Sequence, residues 1–402
     1  MPTSVVVIGA GALGSSTAYH LARRGADVVL VDQYALGSQT SPRAAGLTNT
    51  LAASTEIMTR LMLEATEALA SFEQETGRSI DFHRSGSLRA AYTDVGEARL
   101  RADFERASRV GATAELVSAA DAERLAPWFK PGDARAIGYV PKDSYVEPSK
   151  VPIGFAQRAA ELGARLLPFT AVTDLLRDDD RVVGAATSRG ELRADAVVDA
   201  AGAWTPAVAA RAGIRVPLVP ARHQLFVTEP IAGVEPLQPI VRLLEASVYV
   251  RHERGGLLFG GYEDTPRMVD PAELRPGFQI ADLELDLGVL RSLVDEVAEH
   301  FPVLRDAPVA LHRGGLPTMT ADNLPILGAM PGLGGFYVAS GCCVGGLSLS
   351  PAAGRALADL IVDGRSDPDL APLSVERFRG RYEDPAELEA ACVRAYARKY
   401  TK

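Results

Sequence analysis

The chain begins with three glycines spaced as a phosphate needs them. Gly9, Gly11 and Gly14 lie in VVVIGAGALGSSTAYHLARRG, directly after the apolar run Ser4–Ile8 and before a segment with Ala18, Leu21 and Ala22 at helical spacing, which Gly25 stops. A strand that turns at once into a helix aims the unpaired N–H groups of the first helical turn, and the positive end of the helix dipole, at an anion in the turn. The first glycine permits the tight turn, the second lets backbone approach a pyrophosphate, and the third lets the helix pack closely on the strand. Asp32, 23 residues beyond Gly9 at the end of a second buried strand (28–31), is placed to accept ribose hydroxyls. Together these features spell dinucleotide binding. The plainer alternatives are a glycine turn with no ligand and an ordinary surface acid at position 32.

That fingerprint does not distinguish NAD from FAD. Two further segments have the same strand, glycine turn, helix form: VVDAAGAWTPAVAARAG (197–213) and VASGCCVGGLSLSPAAGRALADLI (338–361). Three such turns spread over the chain suit one long cofactor held by distant segments. The last would aim backbone N–H groups and a helix N-terminus at a flavin pyrimidine that becomes anionic on reduction.

The elements that must position these turns fall into two textures. The N-terminal part alternates buried strands with amphipathic helices, expected over 55–76, 96–110 and 152–163, with strands near 165–175, 181–188 and 195–200. Residues 221–262 instead alternate apolar and polar residues between turns, as antiparallel strands do. A helix carries Leu287, Leu290, Leu293 and Val297, and another is expected over 351–362, starting at Pro351. Asp384 and Pro385 mark the start of a surface helix in the charged tail. The expected organisation is a discontinuous cofactor domain (1–80, 145–220, 311–365), a substrate domain (81–144, 221–310) and a tail (366–402).

Composition narrows the partners. Hydrophobic residues make up 47% and charged residues 23% of the 402, so a sizeable core is available. Forty-two basic against 51 acidic residues give a net charge of −9, which repels nucleic acid. No apolar run is long enough for a membrane span and no basic, apolar leader opens the chain, which reads as cytoplasmic. Cys342, Cys343 and Cys392 show no metal-binding spacing, so no metal site is expected. His20 and His300 read as surface residues.

In combination, VVVIGAGALGSSTAYHLARRG, AVVDAAGAWT, and TADNLPILG followed by GFYVASGCCVGG resemble the D-amino acid oxidase superfamily of FAD-dependent oxidoreductases, from about residue 4 to about residue 365. SPRAAGLTNT, RHQLFVTEP and SVYVRHERGGLLFGGYE are most similar to the flavin module of dimethylglycine and sarcosine dehydrogenases and oxidases. The resemblance implies an α/β fold: a Rossmann-like FAD-binding domain of the glutathione reductase type with an inserted antiparallel-sheet substrate domain. It implies oxidation of a secondary or tertiary N-methyl or N-alkyl amine to an imine, with oxygen or an electron carrier as the acceptor.

Carried over by motif, Gly9, Gly11, Gly14 and Asp32 hold the ADP half of FAD. Arg43, Ala44, Ala45, Gly46 and Leu47 lie along the isoalloxazine, Ala201, Gly202 and Trp204 close on the cofactor, and Gly345, Gly346 and Leu347 meet the ring. Gln33, Val172 and Gly315 are further cofactor contacts. His223 and Tyr249 match residues that face the substrate amine. His223 shares a strand face with Leu225 and Val227, so a core histidine is its plain alternative, as sheet packing is for Tyr249. Arg251, on Tyr249's face by the period of two, is a candidate for a substrate carboxylate, with an exposed strand arginine as the alternative.

The chain departs from the family pattern in informative places. Arg43 stands where the dehydrogenases carry a flavin-linking histidine, and Gly315 where monomeric sarcosine oxidases carry a flavin-linking cysteine, so FAD is expected to be non-covalent. Pro317 stands where the carboxylate-clamping arginine of glycine and D-amino acid oxidases is found. The folate-binding region of the mitochondrial enzymes has no counterpart here, so a one-carbon product is expected to leave as formaldehyde. A flavin hydroxylase and a non-catalytic flavoprotein are the competing readings.

Overall fold

A computed structural model describes residues 3–51, 55–397 and 400. Its first sheet has the strand order Ile326–Ala329, Phe336–Ser340, Ala196–Asp199, Ser4–Ile8, Asp27–Val31, Arg165–Leu167, parallel except for the first-named edge strand. The unbroken apolar runs of its strands are explained by burial on both faces. Val5, Val7, Val28 and Leu30 pack under the helices Ala12–Arg23, Glu56–Ala70, Lys150–Glu161 and Gly346–Asp363. Val6, Ile8, Val29 and Val31 pack against Leu175, Val182 and Ala185 of a three-stranded sheet on the other side.

The second sheet has eight strands, ordered Val309–Gly315, His223–Thr228, Gly256–Gly261, Val248–Glu253, Ile240–Leu243, Ser87–Ala91, Ala136–Val140, Glu115–Leu116. Neighbours are antiparallel, except that Ile240–Leu243 runs parallel to Ser87–Ala91. Val248, Val250, Phe226 and Phe259 face one way, onto Leu290 and Val294 of the helix Leu287–Glu296. Tyr249, Leu225, Val227 and Leu258 face the other way. Val309–Gly315 pairs into this sheet, so the boundary expected between residues 310 and 311 cuts a strand.

Local differences from the sequence expectations have physical causes. The last long helix starts at Gly346, not at Pro351. Proline lacks the N–H that would bond the Leu347 carbonyl, but the Ser350 hydroxyl donates to that carbonyl at 2.9 Å and the helix continues through. The helix Pro385–Tyr396, capped by the Asp384 side chain as expected, is not merely superficial: Leu388, Ala391, Cys392, Ala395 and Tyr396 are buried. Of the tail, residues 398–399 and 401–402 lie outside the described residues. Neither expected surface histidine is free of the core. His20 packs on Phe155, and burial pushes its pKa down to about 3. The buried His300 lies within bonding distance of the Tyr92 hydroxyl and the Lys130 carbonyl. Among the described residues no helix is long and apolar enough to cross a membrane.

Candidate active site

At the C-terminal ends of the parallel strands a cleft is built largely from backbone. Gly9 has φ +97°, and a Cβ there would stand 2.5 Å from the Ala200 carbonyl oxygen. A Cβ on Gly14 would stand 1.8 Å from the Gly9 oxygen, so both positions exclude any side chain. Gly11 differs: a Cβ there would meet only Ser41 Oγ, at 3.3 Å, because the residue borders open cleft. Asp32 locks this turn. One carboxylate oxygen accepts from the Ala10 N–H at 2.7 Å and the other from the Tyr34 N–H at 2.8 Å, while burial raises its pKa above the ordinary range. Each oxygen keeps a second lone pair for a ribose hydroxyl. Gln33, Val172, Ala201, Gly202 and Trp204 continue the wall, and Ala44, Gly346 and Leu347 close its far end. The open cradle over Gly11 beside a helix N-terminus fits the pyrophosphate of FAD.

Arg43 and Gly315, both expected at the cofactor, do not line this cleft. The Arg43 guanidinium donates to the carbonyls of Ser38 (2.6 Å) and Gln39, holding the preceding loop. Gly315 pairs with His223 across strands and packs on Thr40, while its successors Leu316, Pro317 and Thr318 line the cleft. Gly14 also lies behind the wall, in the packing role that the fingerprint gives it.

Beyond Ala44, Cys342, Val344 and Leu347, which border both spaces, lies a second chamber lined by Ala45, Gly46, Leu47, Gly345, His223, Tyr249, Arg242 and Tyr262. The Cys342–Gly345 turn is held in strained backbone. Cys343 and Val344 have φ +48° and +71°, unusual for side-chain-bearing residues, and the Cys343 N–H donates to the Thr318 carbonyl at 2.9 Å.

His223 and Tyr249 meet here. His223 Nε2 is 2.9 Å from the Tyr249 hydroxyl, and Nδ1 is 2.7 Å from the hydroxyl of Tyr396. Their strands are not neighbours: Gly256–Gly261 runs between them, pairing with both. Contact across that strand depends on Gly260, which is opposite Tyr249 and where a Cβ would stand 2.4 Å from the Tyr249 hydroxyl oxygen. Tyr262 lies over the imidazole with ring centroids 4.9 Å apart. Burial pushes the hydroxyls of Tyr249, Tyr262 and Tyr396 well above the ordinary phenol range, so all three remain protonated donors.

Arg251 has neither role considered for it. It is buried, and its guanidinium donates to the Ala45 carbonyl at 2.9 and 2.7 Å and to Glu253 at 2.7 Å. Glu253 in turn takes Arg313 at 2.6 and 2.9 Å, and Arg313 reaches the Ala44 carbonyl. The two arginines therefore brace the segment between cleft and chamber. Among the described residues, the cation that does border the chamber is Arg242, which sequence reasoning missed. It is fully buried, 2.8 Å from the Thr48 carbonyl and 3.4 Å from Asp143, and its Nε has no partner among the described residues. Asp143 is shared with Thr50 and Ser87, and a second buried cation, Arg89, stands close enough to Arg242 for repulsion to help burial lower its own pKa, to about 10. The only signal in the sequence was one arginine inside the apolar run PIVRLL.

A model of the FAD dependent oxidoreductase family, DAO, matches residues 4–360. Dimethylglycine dehydrogenase, mitochondrial, of Homo sapiens is 31% identical over 400 residues, which cover 97% of this chain and 46% of that protein. The 4-methylaminobutanoate oxidase (formaldehyde-forming) of Paenarthrobacter nicotinovorans is 31% identical over 405 residues, 100% of this chain and 49% of the other. Among solved structures, L-proline dehydrogenase from P. horikoshii superposes with a TM-score of 0.85 at 26% identity, covering 94% of this chain and 99% of that one. The chain spans about half the length of the curated relatives it matches.

Proposed function

Because the chain belongs to the DAO family of FAD dependent oxidoreductases, we propose that it oxidises a secondary or tertiary amine carrying a carboxylate to the imine, which water then hydrolyses. The observation that carries this reading is a shared wall: Ala44, Cys342, Val344 and Leu347 border both the FAD cleft and a chamber lined by a histidine–tyrosine pair and a buried arginine. When bound, FAD supplies the acceptor for a hydride equivalent leaving the carbon next to nitrogen. The protein's share is to bind, orient and deprotonate. An amine donates hydride well only when its nitrogen is neutral, and the His223–Tyr249 pair is the group positioned to hold the ammonium proton. Arg242 attracts the carboxylate: it is fully buried, in a region that water does not screen, and borders the chamber. The relatives named for dimethylglycine, methylaminobutanoate and proline all bear both groups.

Anaerobic mixing of the FAD-loaded protein with sarcosine, dimethylglycine, proline and N,N-dimethylethylamine tests the reading. The amino acids are expected to bleach the flavin and the amine without a carboxylate to bleach it poorly. Bleaching by NADPH and by none of the amines would transfer the protein to hydroxylase chemistry.

A further inference from the structure

The helix Pro385–Tyr396 lies beyond residue 360, where the family match ends, yet its last residue touches the histidine of the chamber. The contact is fixed by packing. Leu388, Cys392 and Ala395 bury the helix beside Val219 and Met319, with Cys392 Sγ 3.4 Å from the Met319 carbonyl. Tyr396 is 1% exposed, edge-on to His223 and to Tyr262.

We propose that Tyr396 is a positioning residue for amine oxidation: its hydroxyl holds His223 in the tautomer protonated at Nδ1, which turns a lone pair of the Tyr249 hydroxyl toward the amine. The inference rests on the amine-oxidising reading above. Its physical basis is the direction of a hydrogen-bond chain. The Tyr396 hydroxyl lies 3.4 Å from the Arg222 carbonyl oxygen, which can only accept. A hydroxyl has one proton, so donating it there makes the Tyr396 oxygen an acceptor for His223 Nδ1–H at 2.7 Å. Neutral imidazole carries one N–H, so Nε2 accepts from the Tyr249 hydroxyl at 2.9 Å. The opposite direction leaves the carbonyl of the buried Arg222 without a donor among the described residues, and buried carbonyls are rarely left so.

The chain then moves a proton in balanced fashion. The ammonium N–H breaks as a new O–H forms on Tyr249; the original Tyr249 O–H breaks as Nε2–H forms; the amine is left neutral and His223 becomes imidazolium, with Nδ1–H still held by Tyr396. Among the described residues, the groups facing the imidazole include Tyr249, Tyr262 and Tyr396. The Arg222–Glu263 pair, at 3.6 Å, stands beside it, and Arg242 borders the same chamber.

Two readouts test the chain on the full-length, FAD-loaded protein. Histidine-selective ¹⁵N spectra of the wild type should show neutral His223 carrying its proton on Nδ1, assigned by the signal that His223→Asn removes; a proton on Nε2 overturns the proposal. In Tyr396→Phe, amine-driven flavin reduction should slow about 10–100-fold at pH 7 yet recover to near the wild-type rate at a pH where the free amine is already neutral, moving the rising limb upward. Loss of the same factor at every pH would mean that Tyr396 only packs, and would overturn it as well. If no amine reduces the wild type, the amine reading has failed, and the tautomer readout still decides the direction of the chain independently.

Discussion

The cofactor cleft and the second chamber share four residues, yet they are made of different materials. The cleft presents backbone: turns at Gly9 and Gly14 too tight for any Cβ, an open Gly11, a helix start, and one carboxylate that ties two N–H groups together. The chamber presents side chains that reach one another over distance: Tyr249 across Gly260 to His223, Tyr396 from a terminal helix, Arg242 from an inner strand. A backbone site fails when a single atom is added. A side-chain site fails gradually, by whichever group is moved. The substitutions below separate the two behaviours.

The cleft should give the largest effect. Gly14→Ala puts a methyl 1.8 Å from the Gly9 oxygen, where no flexible side chain can yield. Overpacking of this kind costs roughly 1–3 kcal/mol or more, and here it displaces the phosphate turn itself. The variant is expected to purify colourless and to take up no FAD in an ultrafiltration assay. Retention of stoichiometric flavin would show that the turn adapts, and the contrast would lose its basis. The wild type, with Arg43 and Gly315 where the family attaches flavin, should release its colour to the supernatant on acid precipitation; colour in the washed pellet would mean a covalent bond.

The chamber comes next. His223→Ala and Tyr249→Phe should keep the FAD spectrum while slowing anaerobic reduction by about 10²–10⁴-fold, the usual loss for a proton-transfer or positioning group. Wild-type rates across pH in both would return these residues to sheet packing. Gly260→Ala sharpens the point, because the substitution removes no reacting group. Its Cβ would stand 2.4 Å from the Tyr249 hydroxyl and must swing that ring off His223. Reduction should slow about 10-fold or more with FAD retained; an unaltered rate would show that the pair does not depend on the glycine.

The same difference explains what the sequence revealed. Backbone sites require glycine at fixed short spacings, so the turn of Gly9, Gly11 and Gly14 could be read from a few consecutive letters, while Gly202, Gly345 and Gly346 entered through the family resemblance. Arg43 and Gly315 were misplaced because a motif locates a loop but not which of its residues turns inward. Arg251 looked like a binding cation until its three partners, the carbonyls of Ala45, 206 residues away, and of the adjacent His252 and the carboxylate of Glu253, two away, were in view. Arg242 and Tyr396 were invisible for a related reason. A buried charge or hydroxyl has meaning only through what faces it, and their partners are 99 and 173 positions distant.

Asp199 offers the most discriminating test, because it is a side chain enclosed within a backbone turn. It ends the Ala196–Asp199 strand, fully buried, with one oxygen accepting from the Ala201 N–H at 3.0 Å and the Thr205 hydroxyl at 3.1 Å. The other oxygen has no partner among the described residues, and burial pushes the pKa up to about 7 despite those two bonds. An unfolded aspartate titrates near 3.9, so between roughly pH 4 and 7 the folded chain holds a proton that the unfolded chain has released. The contribution of this proton to stability is complete below about pH 4 and is lost as pH rises through 7. Asparagine stays neutral throughout, so Asp199→Asn should match the wild type near pH 4 and exceed it increasingly up to pH 8, by an amount on the order of 2–4 kcal/mol. Thermal melts of the two proteins at successive pH values measure that gap directly. A gap independent of pH would place an ionised Asp199 in the turn, held by its N–H donor as Asp32 is held by two, and the cleft would then owe more to side-chain charge than its glycines suggest.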